Sequence, residues 1–303
     1  MLILQPPREG EPLKTPRFDY HAPETLEEAL ALLAEHGDEA KLLAGGQSLV
    51  PLLAMRLARP AQLVDLGKVA SLDGLQIDDG HVSVGAMVRE RTVERSAVVA
   101  ERVPVLTEAL PYIGHVAIRN RGTIGGSLAH ADASAELPAV AIVTEATMVV
   151  RRASGERTVD AASFFLGHFT SALEDDECLV EIRFPSTAPG VGWAFEEVAR
   201  RHGDFAIVGT AAMVALDGAG AVAGARIAQM GVGDRAVRAG EAEAALVGAT
   251  PTPEVIADAA REATAGLEPA SDIHGSSEFR RHLATVSVRR ALTRAVERAG
   301  GTR

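Results

Sequence analysis

The sequence predicts an α/β (α+β) protein: two small mixed units, followed by a C-terminal domain of antiparallel strands and helices. Three observations predict it. Short apolar runs on either side of a glycine turn near residue 45, with helical spacing before and after it, have the order of a β-α-β unit. Alternating segments joined by Gly-containing turns then run toward residue 184, as antiparallel strands do. After the run Pro185-Ser186-Thr187-Ala188-Pro189-Gly190, three strand-like segments give way to three helical ones.

Taken in order, Thr25 with Glu28 forms a capping box for a helix through about His36. Leu26, Ala29, Leu30 and Leu33 fall on one face of it, and Gly37 suits its end. Lys41 to Ala44 reads as a strand entering the first glycine turn. Ser48 then stands as a cap for a helix running to Leu57 before Pro60, and Gln62 to Leu66 is the next strand. Gly74 to Gly85 alternates through Asp78-Asp79-Gly80 as a hairpin, and Val98 to Leu110 is expected to form one helix closed by Pro111. A glycine-rich loop over 118–134 leads into a helix from Ala135 to Glu145. Strands are expected at Thr147 to Arg152, Glu156 to Val159 and Leu179 to Phe184. In the last domain, strands at Trp193 to Ala199, Val208 to Leu216 and Ala221 to Met230 precede helices at Arg238 to Val247, Pro253 to Ala265 and Ser276 to Ala299. The expected divisions are an extension at 1–17, units at about 18–66 and 67–187, and a C-terminal domain at 190–303.

Composition removes several function classes. The chain has 303 residues, enough for two or three cores, and 47% hydrophobic with 23% charged residues is a globular balance. A formal charge of −11 argues against general nucleic-acid binding, which needs clustered Lys and Arg. No apolar run reaches the length of about 20 residues that a transmembrane helix needs, and no secretory leader pattern opens the sequence, so cytoplasmic residence is expected. The single cysteine, Cys178, cannot form an internal disulfide, and one thiolate cannot hold an iron–sulfur cluster.

Two stretches carry the chemistry. Ala44-Gly45-Gly46-Gln47-Ser48-Leu49 and Gly122-Thr123-Ile124-Gly125-Gly126-Ser127 both lack side-chain bulk, so backbone N–H groups there can approach an anion. Either stretch alone reads as an ordinary tight turn; two of them could grip one pyrophosphate from both sides. The helix from Ala135 would add a positive end. Asp217 to Gly224, D-G-A-G-A-V-A-G, lacks the G-x-G-x-x-G spacing and reads as a hairpin turn. His130, Asp132 and Glu136 could be read as a metal cluster, but the simpler reading has Asp132 or Ser134 capping the next helix. Asp19, Asp160 and Asp175-Asp176-Glu177 read as solvated or turn carboxylates, and no Ser-His-Asp or Cys-His constellation has defensible spacing.

The whole pattern, A-G-G-Q-S-L followed by P-L-L-A-M-R-L-A-R-P-A-Q-L-V-D-L and then I-R-N-R-G-T-I-G-G-S-L-A-H-A-D, resembles the FAD-binding medium subunit of molybdenum hydroxylases, the family of carbon monoxide dehydrogenase and xanthine dehydrogenase. The later segment G-W-A-F-E-E-V-A-R-R-H-G-D-F-A-I-V-G resembles the start of that family's C-terminal domain. The resemblance implies the two-subdomain FAD-binding fold of the vanillyl-alcohol-oxidase type and one non-covalent FAD between the first two units.

It also implies residues. Ala44, Gly45, Gly46, Gln47, Ser48 and Leu49 match the first FAD loop, with Gln47 where histidine often stands. Thr123, Ile124, Gly125, Gly126 and Ser127 match the second, with Ala129, Asp132 and Glu136 following it and Glu136 near the adenosine half. Ile113 and Val180 match positions near the flavin, and Phe205 an aromatic covering the isoalloxazine; plain core packing is an equal reading of all three. Some relatives place a basic residue after Phe195, where this chain has Glu196 and Glu197.

By the same resemblance, molybdopterin and [2Fe-2S] sit on partner subunits, a large and a small chain in a heterotrimer or its dimer. The chain would relay electrons from the iron–sulfur subunit to an external acceptor, with no side chain acting as acid, base or nucleophile. A self-sufficient FAD oxidase of a small alcohol and a flavin-free assembly subunit stay open as alternatives.

Overall fold

A computed structural model describes residues 15–78 and 80–300. Most of the expected extension, residues 1–14, and Asp79 of the expected hairpin turn lie outside them.

The first unit is a parallel three-stranded sheet, with Gln62–Asp65 between Asp19–His21 and Ala40–Leu43. Its helix Leu26–His36 starts at the expected capping box, with Thr25 Oγ1 accepting from Glu28 N and Glu28 Oε2 accepting from Thr25 N at 3.3 Å. Leu26, Ala29, Leu30 and Leu33 are buried on one face, against Val64, Val149, Cys178 and Val180. The second unit is a five-stranded antiparallel sheet ordered Leu75–Asp78, His81–Gly85, Cys178–Pro185, Thr147–Arg152, Gly155–Asp160. Its three central strands are largely buried, whereas its two outer strands are mostly exposed. Alternation sends Val149 toward the first unit and Met148, Val150, Ile182 and Phe184 toward a layer of helices, and a bulge between Leu179 and Glu181 turns Val180 toward the first unit.

That helical layer contains Glu136–Thr144, every residue of which is buried. An all-round apolar helix is what a position between two sheets requires. On its far side lies the C-terminal sheet, ordered Val191–Val198, Val208–Leu216, Val222–Met230, Val237–Arg238. Ala211 and Met213 face the helical layer, while Ala212 and Val214 face Gly240–Leu246, Pro253–Glu262 and Ser277–Gly300 on the outside. The two domains are also clamped by charge: Glu108 accepts from Arg294 and Arg298 of the last helix, both at 2.5 Å.

Several expectations need correction. Val98 to Leu110 is not one helix but Ala97–Arg102 and Pro104–Ala109, because Pro104 has no N–H for the earlier turn and restarts the chain at its own first position. Ser48 precedes Leu49–Ala54, but its side chain makes no cap. The C-terminal sheet has a fourth strand, Val237–Arg238, too short to show a period. Glu177 is no solvated carboxylate: it is buried and holds Arg152 and Arg157, each at 2.7 Å, and Arg157 with burial working against it sets its carboxyl at about 2.

Candidate functional site

The two glycine stretches meet. A carbon built on Gly45 would stand 2.3 Å from the Arg121 carbonyl oxygen and 2.8 Å from Gly122 Cα, and one on Gly126 would stand 3.1 Å from Ala44 Cβ. Only backbone without Cβ atoms allows this approach.

The stretches differ in kind. The second is not a loop beyond Thr123 but the helix Ile124–His130, with Thr123 Oγ1 accepting from Gly126 N at 3.0 Å. Gly125 N donates to Ala86 O at 2.9 Å, Ile124 N to Val88 O and Ser127 N to Thr123 O. Those first-turn donors are therefore committed to protein. Gly125 sits where a carbon would strike Ala86 Cβ at 2.4 Å, so it serves helix-to-strand packing rather than open space. In the first stretch the amides of Gly45, Gly46, Gln47 and Ser48 have no protein acceptor among the described residues. Gly46 has φ +75, and the Gln47 side chain folds back so that its Nε2 donates to Gly45 O at 3.0 Å. A turn of consecutive unpaired N–H groups is an anion cradle.

The remaining expected residues fall into two sets. Asp132 and Glu136 follow the second stretch, but neither Asp132 nor Ser134 caps the helix. Asp132 Oδ1 accepts from Ser134 N, the helix N-cap is Ala135, and Glu136 takes its own backbone N–H. The positive helix end is thus already covered by a carboxyl group. No group of three or more His, Cys, Asp or Glu among the described residues is arranged to hold a metal ion. His130 instead stacks against Phe169 with ring centroids 4.8 Å apart.

Val180 is a core residue of the first unit and its carbonyl accepts from Ala86 N at 2.9 Å. Ile113 is half-buried, its carbonyl accepting from Arg119 Nη1 at 2.9 Å. Leu49, Ser127 and Ala129 are half-buried near the junction. Phe205 is 78% exposed, which removes core packing as its explanation. Its turn rests on the loop after Ile113, since a carbon on Gly203 would lie 2.6 Å from the His115 ring.

Two acids complete the site: Glu90, which the sequence reading did not single out, and Glu197, noted there only as standing where some relatives place a basic residue. Glu90 is 3% exposed, its Oε2 has no partner, and a carbon on Gly122 would touch that oxygen at 2.5 Å. Glu197 also has a sealed, unpartnered Oε2. Burial, and then the charge of Glu136, push both Glu90 and Glu197 up to about 8. Burial raises Glu136 to about 7 against its own N–H. The neighbouring cation, Arg119, is spent on Glu94 at 2.8 Å and on the carbonyls of Ile113 and Gly114. One signal was available for Glu197: it shares strand parity with Trp193 and Phe195, which pack on the main core, so it is an acid on an inward position. Glu196, on the opposite face, pairs with Arg294. Nothing in the sequence marks Glu90.

Comparison with known proteins gives a consistent picture. A family described as "FAD binding domain in molybdopterin dehydrogenase" matches residues 16–187, and one described as "CO dehydrogenase flavoprotein C-terminal domain" matches 193–295. The chain is 43% identical over 291 residues, 96% of its length and 98% of the relative's, to the 6-hydroxypseudooxynicotine dehydrogenase complex subunit alpha of Paenarthrobacter nicotinovorans. It is 41% identical over 280 residues to the carbon monoxide dehydrogenase medium chain of Hydrogenophaga pseudoflava, covering 92% of this chain and 97% of that one. Among solved structures, a carbon monoxide dehydrogenase from the latter organism matches with TM-score 0.91 and 43% identity, over 94% of this chain and 99% of that one. Quinoline 2-oxidoreductase from Pseudomonas putida 86 matches with TM-score 0.90 and 44% identity, covering 94% and 99%.

Proposed function

We propose a function from one premise: the chain belongs to the family of FAD-binding domains in molybdopterin dehydrogenases, continued by a carbon monoxide dehydrogenase flavoprotein C-terminal domain. It is the FAD subunit of an oxidoreductase complex of the molybdenum hydroxylase type. The reading adds that electrons arrive from a [2Fe-2S] small subunit, fed by a molybdopterin large subunit, and leave to an external acceptor. The self-sufficient oxidase and the flavin-free subunit are not favoured, since the relatives are named as subunits or chains of dehydrogenases. Cytoplasmic residence accompanies this reading; no helix among the described residues is long and apolar enough to cross a membrane. So do a 18–187 FAD domain and a 190–303 C-terminal domain.

The observation that carries the site is the row of free amides at Gly45 to Ser48, pressed against the second glycine stretch. It fits the pyrophosphate of FAD, whose charge needs donors that the fold has not already used. Ala44 to Leu49 would hold that group, with Thr123 to Ser127 as the rigid wall behind it. Asp132 and Glu136 would lie toward the adenosine half, with Ala129 beside them. Ile113 and Val180 would sit near the flavin, and Phe205 would cover the isoalloxazine. FAD supplies the redox chemistry when bound; the chain binds it, orients it and sets its electrostatic surroundings.

The test is to purify the full chain and quantify FAD released on denaturation, then follow flavin reduction with and without the large and small subunits. One FAD per chain, reduced by organic substrate only in the assembled complex, is the expected result. Rapid reduction of the lone chain by substrate would replace the relay with an oxidase.

A further inference from the structure

The helix Leu49–Ala54 leaves the first glycine stretch and lies at the surface, yet from Leu49 to Met55 it has no polar side chain. Leu53 is turned into the fold, while Val50, Pro51 and Met55 face solvent. A helix that is apolar all round is ordinarily enclosed, so one face of this helix lacks its cover. The chain just beyond prolongs that face. Arg56 takes φ +58, a left-handed conformation that favours glycine, and Leu57 N donates to Leu52 O at 2.9 Å. Such a helix end ordinarily tucks the next apolar side chain back against the helix, but here Met55 is 55% and Leu57 54% exposed.

The uncovered face touches the site. Val50 Cγ2 would stand 3.2 Å from a carbon built on Gly46, with Leu43 Cδ1 at 3.4 Å, so the face begins at the anion cradle itself. Met55 lies about 8 Å further along, at the helical rise of about 1.5 Å per residue. Between Glu39 and Asp65 the chain has Lys41, Arg56 and Arg59 and no acid, although its formal charge is −11. All three cations are exposed. Arg59 Nε donates to the Arg56 carbonyl at 3.0 Å, and neither Arg59 nor Lys41 pairs with a carboxylate among the described residues.

An apolar centre with arginine at its rim is the make-up of a protein interface. Charge and position choose the occupant. A [2Fe-2S] cluster held by thiolates is a net anion in either redox state, so cations favour the subunit that carries it. An electron donor must also come close to the cofactor, and this face starts at the residues that hold it. We propose that Val50, Met55 and Leu57, flanked by Arg56 and Arg59, form the docking face for the [2Fe-2S] small subunit. The proposal rests on the reading above that electrons reach FAD from such a subunit. Met55 and Leu57 supply the apolar contact, and the two arginines steer the anionic partner and fix its register.

The experiment uses the full complex, coexpressed from all three chains, with p-benzoylphenylalanine in place of Met55. Irradiation is expected to link this chain to the small subunit. A link to the large subunit or to a second copy of this chain overturns the proposal, as does the absence of any link in a complex that contains the small subunit. In a second arm, mass photometry of purified complexes over a dilution series gives the affinity of this chain for the rest of the assembly. Met55→Glu should weaken it at least about tenfold, and Arg59→Gln should weaken it less and reduce its dependence on salt. Thermal unfolding and FAD content should stay at the wild-type level in both, because both side chains are exposed. Wild-type affinity in both variants overturns the proposal, and so does a loss of affinity that only accompanies unfolding. A wild-type chain that assembles with no small subunit, or whose flavin is reduced by organic substrate without one, would instead overturn the relay reading, a distinct result.

Discussion

Gly45 stands against the backbone of Arg121 so closely that a single added carbon would lie 2.3 Å from the Arg121 carbonyl oxygen. The anion cradle of the first unit is thereby held on the second, and its geometry depends on that contact. Gly45→Val should push the turn away from Arg121. The expected outcome is a loss of bound FAD of at least about tenfold in affinity, which corresponds to about 1.4 kcal/mol, together with a destabilisation of roughly 1–3 kcal/mol. Fluorimetric FAD titration and denaturant unfolding check the two parts.

Gly125 is predicted to behave differently, because its neighbour is Ala86 of the protein and its amide is already bonded to Ala86 O. Gly125→Ala should cost roughly 1–3 kcal/mol by overpacking. Adding Ala86→Gly should recover only a small part of that loss, because Ala86 Cα and O would still stand 2.6 and 2.7 Å from the added carbon. A double-mutant cycle measures the coupling; full recovery would place the strain on the Ala86 methyl alone.

Phe205, 78% exposed, contributes little to the folded state. Phe205→Ala should leave stability within about 0.5 kcal/mol. It should change the visible spectrum, fluorescence or potential of bound FAD. A large stability loss with an unaltered flavin would return the ring to a structural role.

Glu90 links the site to pH. Its folded-state value, about 8, lies above the usual carboxylate range because of burial first and the charge of Glu136 second. The folded chain then binds its proton more tightly than the unfolded chain does. The stability this confers is complete below the unfolded value of about 4.3 and is lost as pH rises through about 8. Glu90→Gln keeps the burial without the charge, so it should gain roughly 1–3 kcal/mol on the wild type at about pH 9 relative to pH 5. Thermal unfolding across that range checks the slope; equal slopes would show that Glu90 finds a counter-ion.

What the sequence by itself determined is local. The Thr25–Glu28 capping box, the apolar face of Leu26, Ala29, Leu30 and Leu33, and the strand Val208–Leu216 follow from local patterns and short-range bonds, and they emerged as read. The two glycine stretches were visible as well, because lack of side-chain bulk is a property of the residues themselves. Their separate roles were not. That the amides of Gly45 to Ser48 remain free, whereas those of Ile124 to Ser127 are consumed by Ala86, Val88 and Thr123, depends on which strand each stretch packs against. Tertiary structure likewise gathered Glu90, Glu136 and Glu197 from separate elements, spent Arg119 on Glu94, and turned Glu177 from an apparent surface acid into the anchor of two arginines. Desolvation and partner choice decide the charge of an acid, and both are set by residues far away in the chain.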